Sequence, residues 1–307
     1  MFIIRHRKIF FIFTLVLVLF SVGSMIARGF NFGIDFTGGS ILEVSYENAR
    51  PDLDKVKEKL DSLAVAGGVP LGVYSLRPSG DMSYVLRTKE ISNETKNKVF
   101  AALLLDGQAK AKEDRFNTIG PTVGGELRNK AYMAIAVTIL GIVFFVTFAF
   151  RKVSRPVSSW KYGLATIIAL IHDVVISAGV FIFLTPFIGA ELDLLFMTAL
   201  LAILGYSVHD TIVVFDRIRE NLRVNNETHR QEPFEGGVGR SVTQTMGRSI
   251  NTSLTIVLVL VALYFLGGES TRDFALLLTI GVIIGTYSSI FIASPLLTVF
   301  ERMKKRS

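Results

Sequence analysis

Six runs of predominantly apolar residues constrain this chain more than any other feature of its sequence. Each is about 18 residues long or longer, enough for a helix to cross the roughly 30 Å hydrocarbon core of a bilayer. The runs are Ile9–Ile26, Ala131–Phe150, Tyr162–Leu184, Leu194–Phe215, Arg248–Leu266 and Phe274–Phe300. We therefore expect an α-helical polytopic membrane protein with six transmembrane helices. A soluble enzyme is excluded.

The first run follows Arg5, Arg7 and Lys8, and a basic start is also found in cleaved signal peptides. The run is long for a signal peptide, and no clear small-x-small cleavage site follows it. The sequence therefore favours an uncleaved helix. The predicted organisation is a cytoplasmic tail with the first transmembrane helix (1–27), an extracytoplasmic domain (28–129) and a five-helix transmembrane domain with a cytoplasmic carboxyl terminus (130–307).

The segment 28–129 has the patterning of a small α+β domain. Apolar residues alternate in the predicted strands and recur at helical spacing in the predicted helices. In chain order the elements are the strand Ile41–Tyr46, the helix Asp52–Ala64, the strands Val73–Leu76 and Ser83–Arg87, the helix Ser92–Leu105 and the strand Arg115–Ile119. The order β-α-β-β-α-β predicts a ferredoxin-like fold. No catalytic constellation is apparent in it, which favours a binding or lever domain.

The distribution of charge predicts the orientation in the membrane. The net charge is +7, but Ala27–Asn129 holds 14 basic and 14 acidic residues. The basic excess lies in both terminal tails and in the connections after the second and fourth runs, whereas Thr185–Asp193 has no Lys or Arg. The positive-inside rule then places both termini in the cytoplasm and the long loop outside. Because the outer segment has no basic excess, nucleic acid is not an expected partner.

Charged residues within the apolar runs are the candidate functional residues, since a charge in the bilayer interior is costly. Asp173 lies in the third run, Asp210 in the fourth, and Arg248 opens the fifth. Arg248, Asn251, Thr252 and Thr255 recur at three- and four-residue intervals and so form one polar stripe. Asp210 and Arg248 are predicted at similar depth in the cytoplasmic half. A pair between them would lower the cost of both charges and could switch with a proton.

Purely structural roles are also possible at these positions. Asp210 and Arg248 could form a fixed structural ion pair, and Asp173 could be a static hydrogen-bond acceptor between helices. A metal site at His172 and His209 is disfavoured, because no further carboxylates cluster there. An intramembrane aspartyl protease is also disfavoured, because Asp173 and Asp210 fall at different depths and no Gly-x-Gly-Asp motif is present. We expect no cofactor and no metal.

Five sequence motifs carry a resemblance to a known family. They are Gly33-Ile-Asp35-Phe-Thr-Gly38-Gly39, Gly120-Pro121-Thr-Val-Gly124-Gly-Glu-Leu127, Ile171-His-Asp-Val174, the run from Gly205 to Asn221, and the run from Ser241 to Ser253. Together they resemble the SecD/SecF protein-export family over nearly the whole chain, and the fourth resembles the SecF side of it. His209 departs from the family by standing where Asn is usual, and Thr243 stands where Asn is common.

The resemblance implies one half of a resistance-nodulation-division-like transporter in the bacterial cytoplasmic (inner) membrane. Such a half pairs with SecD, works with the SecYEG translocon, YajC, exported polypeptides and lipid, uses the proton motive force, and is not an enzyme. Asp210 and Arg248 carry over from the family as the proton-pathway pair. Asp173, Asn251 and His209 are their expected neighbours. A small-molecule exporter of the same superfamily and a passive assembly scaffold are the rival interpretations.

Overall fold

The computed structural model describes residues 2–66, 71–72, 74–151, 158–229 and 232–306. Val73, the first residue of a predicted strand, lies outside them. The elements are α1 (Phe2–Arg5), α2 (Arg7–Arg28), α3 (Ile34–Thr37), β1 (Gly39–Tyr46), α4 (Leu53–Ala66), β2 (Ser75–Ser79), β3 (Ser83–Thr88), α5 (Asn93–Leu103), β4 (Ala111–Ile119), α6 (Pro121–Ala149), α7 (Ser159–Ile188), α8 (Leu194–Glu227), α9 (Phe234–Leu266), α10 (Glu269–Ser288), a π-helical turn (Ser289–Ala293) and α11 (Ser294–Arg306).

Six helical segments of the described chain are long and apolar enough to cross a membrane. They are α2, α6, α7, α8, α9 and the continuous stretch Thr271–Met303. The six-helix membrane fold predicted from hydropathy is therefore confirmed.

Two of these helices extend well beyond their apolar runs. α8 continues past Phe215 because its polar end is a run of helical ion pairs, among them Arg219–Asp216 at 2.5 Å and Arg223–Glu227 at 3.2 Å. α9 begins at Phe234 rather than at Arg248. The predicted boundary was wrong because buried Phe234, Val238 and Val242, at four-residue spacing, already place this polar segment against the helical core.

The first of two compact units comprises Met1–Phe30, Met133–Ala190 and Leu195–Ser307. Three buried rings from different helical segments form the centre of one core cluster: Phe150, Tyr162 and Phe215. The Phe150 and Tyr162 rings stack at 5.3 Å, and Phe215 meets Tyr162 edge-on at 5.2 Å. α2 approaches α7 so closely that a Cβ at Gly179 would lie 2.3 Å from Ser21 Cβ. Small residues thus set the helix contacts, as is typical in membranes.

The second unit comprises Asn31–Tyr132 and Glu191–Leu194. Its four-stranded sheet has the order β2-β3-β1-β4 with antiparallel neighbours, so the predicted β-α-β-β-α-β arrangement is confirmed. Its core includes fully buried Val44, Val56, Leu60 and Val99. The Tyr46 hydroxyl donates to Leu103 O at 2.9 Å, and burial raises the pKa of Tyr46 to about 12.

Two predicted strands have different bounds in the structure. β2 reaches Ser79, which pairs with Ser83, instead of ending at Leu76, and the chain turns at Gly80 (φ +55°). β4 starts at Ala111 rather than Arg115. The register between β1 and β4 shifts at Glu43/Val44, and this bulge allows the polar, poorly alternating residues before Arg115 to continue the pairing.

Candidate functional site

Asp173 is fully buried in α7 and is held by three helices. Its Oδ2 accepts from Ser207 Oγ of α8, and from Ser288 Oγ of α10 at 2.7 Å. His172 Nδ1 lies 2.8 Å from Asp173 Oδ1. His172 Nε2 is buried and has no hydrogen-bond partner among the described residues. The aspartate and histidine thus form a buried polar pair within the helical unit.

Asp210 is buried in α8, one helical turn after Ser207. Its Oδ1 accepts from Ser249 Oγ of α9 at 2.6 Å. Its Oδ2 is buried without a hydrogen-bond partner in the described part of the chain. The carboxyl group has hydroxyl groups on two sides, Ser249 of α9 and Ser289 of the π-helical turn.

The π-helical turn Ser289–Ala293 begins beside both carboxylates. Ser288, just before it, donates to Asp173, and Ser289 shares a hydrogen bond of 2.9 Å with Thr211, the neighbour of Asp210. Ser294 Oγ donates to Ser289 O across the turn at 3.0 Å. π-Helical turns within α-helices frequently mark functional sites. Here the turn places consecutive serines of one helix toward two different acidic residues.

A layer of hydroxyl groups lies one turn further along α9. Tyr206 OH is 2.6 Å from Ser253 Oγ and 3.1 Å from Thr286 Oγ1, and the two smaller hydroxyls are 2.5 Å apart. Sequence reasoning missed these groups, and it missed Ser207, Ser249 and Ser288 as carboxylate ligands. One signal was available, because hydroxyl residues recur on α9 at every fourth position. They are Ser241, Thr245, Ser249 and Ser253, and all four are buried.

The structure shows no salt bridge between Asp210 and Arg248 among the described residues, and their pairing stays a prediction. Arg248 is exposed and makes no salt bridge with Asp210, which bonds to the adjacent residue Ser249 instead. Successive residues of a helix point about 100° apart, so Ser249 makes the hydrogen bond and Arg248 acts on Asp210 only through its charge. Asn251 and His209 are also exposed. The predicted site therefore divides into buried Asp173 and Asp210 and an exposed set of Arg248, Asn251 and His209.

The two glycine motifs meet in the second unit. A Cβ at Gly38, where φ is +74°, would lie 2.6 Å from Pro121 Cα. A Cβ at Gly124 would lie 2.8 Å from Gly38 N. Gly39, at φ +137°, would bring a Cβ within 2.6 Å of Thr88 O. The backbones are thus in contact where the motifs cross, and only glycine fits there. Gly120 has more room, since its nearest neighbour is Glu90 at 3.7 Å.

Asp35 and Gly33 bind the short segment Glu191–Leu194 of the same unit. Leu194 N–H, the first of α8, donates to Asp35 Oδ2 at 2.9 Å. Gly33 N–H donates to Leu192 O at 2.9 Å. Arg87 forms a salt bridge with Glu191 at 2.6 Å. The first amides of a helix lack partners within it, so Asp35 caps α8 from a distant part of the sequence.

Metal binding has no support in the part of the chain that the structure describes, where no group of three or more His, Cys, Asp or Glu residues could hold an ion.

Comparison with known proteins agrees with both sets of motifs. A family model described as "Protein export membrane protein SecD/SecF, C-terminal" matches residues 99–303. A second, described as "SecD/SecF GG Motif", matches residues 23–49. A protein translocase subunit SecF from Thermobaculum terrenum is 40% identical, over 97% of this chain and 93% of that protein. One from Pseudomonas aeruginosa is 38% identical, over 95% and 88%.

A solved structure supports the same relationship. The crystal structure of SecDF from Thermus thermophilus, a translocon-associated membrane protein, is similar with a TM-score of 0.81 and 35% identity. The match covers 97% of this chain but 38% of that one, so the chain spans well under half of the SecDF polypeptide. With family models over most of its length and relatives of 40% identity, this chain belongs to the SecD/SecF family of protein-export membrane proteins.

Proposed function

We propose that this chain is a SecF-like accessory subunit of the Sec protein translocase. With SecD it uses the proton motive force to promote export of polypeptides across the bacterial cytoplasmic membrane. Its relatives are protein translocase subunits, and the SecDF relative from Thermus thermophilus matches this chain over 37% of its own length. That leaves room in the fused protein for a SecD half. We assign this chain no enzymatic reaction and no cofactor.

The observation that carries the proposal is the state of Asp210. It lies inside a membrane-spanning helix, and its buried carboxyl group is bound by hydroxyl groups rather than by a salt-bridged cation. A proton that binds there removes one charge from a low-dielectric interior. Moving one charge through 100 mV is worth about 2.3 kcal/mol, which is enough to bias a two-state helix packing.

Asp173 supplies a second titratable position on the same route. Ser207, a ligand of Asp173, and Asp210 lie one turn apart on α8, and Ser288 and Ser289 are consecutive on α10 and the π-helical turn. A change of charge at either carboxylate alters hydrogen bonds of the same helices. We therefore assign Asp173 and Asp210 to one proton pathway, with His172 beside the first.

We place the exposed set of Arg248, Asn251 and His209 on the surface of this chain that contacts SecD. A guanidinium that faces lipid in the bilayer interior is costly, so Arg248 requires protein or water beside it. Among the described residues Arg248 forms no salt bridge, and its charge acts on Asp210 without direct contact. We infer that SecD covers this face and that Arg248 acts across the interface. SecYEG, YajC and the exported polypeptide are the further partners of the proposed assembly.

The test of this function is export into inverted membrane vesicles from cells that lack their own copy. Vesicles with this chain and SecD should take up a secretory precursor faster when a proton gradient is present, and a protonophore should remove the gain. Stimulation that survives the protonophore would identify a passive scaffold. Efflux of small molecules without any gain in export would identify an exporter.

The proposed orientation is tested separately. Because basic connections alternate with non-basic ones, a reporter fused near Gly80 should lie outside the cytoplasm. Reporters at Arg155, Asn225 and Ser307 should lie inside. Paired alkaline phosphatase and green fluorescent protein fusions measure this, since the first is active outside and the second fluoresces inside. A cytoplasmic signal at Gly80 would contradict the whole topology.

A further inference from the structure

A cleft of about 670 Å³ lies where α1, the first turn of α2, the first turn of α9 and the end of α11 meet. Four cations line it, and Glu235 is the one carboxylate among its lining residues. The cations are Arg5, Arg7, Lys8 and Arg302. The lining therefore has an excess of three positive charges, which is complementary to an anion.

Hydrogen bonds and salt bridges fix two of the four lining cations in place. Glu235 accepts from Arg7 at 2.9 Å and binds Arg302 at 2.5 Å, so two guanidinium groups share one carboxylate. Arg7 also donates to Thr298 Oγ1 at 2.8 Å. Arg5 and Lys8 are exposed and have no ion pair among the described residues. The cleft thus combines two positioned guanidiniums with two uncompensated cations.

An apolar surface adjoins the cleft. Phe2, in its lining, is 68% exposed. The α2 helix leaves the cleft with Ile9 61% and Ile12 63% exposed on its outer side. A free phosphate ion would gain nothing from these residues. An amphiphile with a phosphate group and hydrocarbon chains would contact both the cations and the apolar side of α2.

We propose that this cleft binds the phosphate of an anionic phospholipid. Arg5, Arg7, Lys8 and Arg302 surround the headgroup, and an acyl chain lies along Ile9 and Ile12. Basic pockets between membrane helices are suited to anionic headgroups. The site also joins α1 and α2 to α9 and α11 through a lipid, in addition to the Glu235 salt bridges. This inference requires a membrane protein and does not depend on the proposed role in export.

The test is lipid retention by the full chain in detergent, measured by native mass spectrometry after titration with phosphatidylglycerol or phosphatidylcholine. Phosphatidylglycerol should bind, and phosphatidylcholine should bind at least tenfold more weakly. Each cation near an anionic headgroup is worth about fivefold in affinity. The double variant Arg5→Gln/Lys8→Gln should therefore weaken phosphatidylglycerol binding by at least about tenfold.

The matched control is Arg219→Gln/Arg223→Gln, which also removes two exposed cations. These are paired with Asp216 and Glu227 and lie outside the cleft, so binding should not change. Arg302→Gln gives an independent variant that leaves the basic amino-terminal tail intact, and it should weaken binding about fivefold. If the double variant Arg5→Gln/Lys8→Gln fails to insert into the membrane, the binding measured with Arg302→Gln tests the proposal.

Three results of the lipid-binding experiments would overturn the proposal. They are equal binding of the two lipids, equal weakening by the control and the cleft variants, and inorganic phosphate that competes as well as the lipid does. A photoreactive group at Lys8 that captures protein instead of lipid in intact membranes would also overturn it, and would reassign the cleft to an acidic protein partner.

Discussion

Replacing Asp210 by asparagine should abolish the proton-driven part of polypeptide export while the helices remain packed. The asparagine oxygen can still accept from Ser249 Oγ, now 2.6 Å from Asp210 Oδ1, and the side chain has nearly the same volume. It cannot change its charge. A charge moved through 100 mV biases a two-state equilibrium about fiftyfold, so we expect proton-dependent export to fall at least about tenfold. The measurement is precursor uptake by vesicles with SecD, with and without a protonophore.

Two variants on the exposed set control this experiment. His209→Asn changes the residue before Asp210 to the one usual in the family, and its exposed side chain leaves the buried contacts intact. Export should stay close to that of the unchanged chain. Arg248→Met removes a cation that does not touch Asp210 within this chain. It should therefore leave the thermal stability of the purified chain unchanged and impair export only in the presence of SecD.

The outcome that would reject this assignment is full proton-driven export in Asp210→Asn. Asp210 would then be a structural acceptor for Ser249, and the loss of its charge would be without consequence. A loss of export with a similar loss of thermal stability would also reject it, because the residue would then act through packing.

Hydropathy and alternation were sufficient to predict the six membrane helices and the chain order of helices and strands in the second unit, because both depend on local periodicity. They could not predict where the helices end. α9 extends from Arg248 back to Phe234 because buried Val238 and Val242 continue a helical face that is too polar to appear as an apolar run. Packing between distant helices, which one sequence does not display, sets that boundary.

The same limit applies to the site. Asp173 and Asp210 could be recognised because a charge within an apolar run is costly wherever it lies. Of their ligands, only Ser249 had a signal in the sequence, as one of the hydroxyl residues that recur at every fourth position of α9, whereas Ser207 and Ser288 had none. The opposite charge of Arg248 suggested a pair with Asp210, but the rotation of α9 decides which side chain faces α8, and it presents Ser249. The contact between Gly38 and Gly124 likewise could not be predicted from the sequence, because 86 residues separate the two glycines.

Replacing Gly124 by alanine should destabilise the second unit, while the same change at Gly125 should not. Both glycines lie in the first turns of α6, where alanine favours the helix by about 1 kcal/mol. A Cβ at Gly125 meets nothing within 4 Å, so only that gain applies. A Cβ at Gly124 would lie 2.8 Å from Gly38 N and 3.2 Å from Phe36 C, both backbone atoms. Separating these backbones should cost about 1–3 kcal/mol, as overpacking of a close contact does.

Gly38→Ala tests the other side of the same contact and should have the larger effect. It adds the cost of a side chain at φ +74° to the clash with Pro121 Cα at 2.6 Å. Limited proteolysis of the full chain in membranes measures these effects, with cleavage within 31–132 as the readout. We expect faster cleavage in Gly38→Ala and Gly124→Ala, and unchanged or slower cleavage in Gly125→Ala. Equal cleavage of all three variants would show that the two motifs do not depend on close backbone contact.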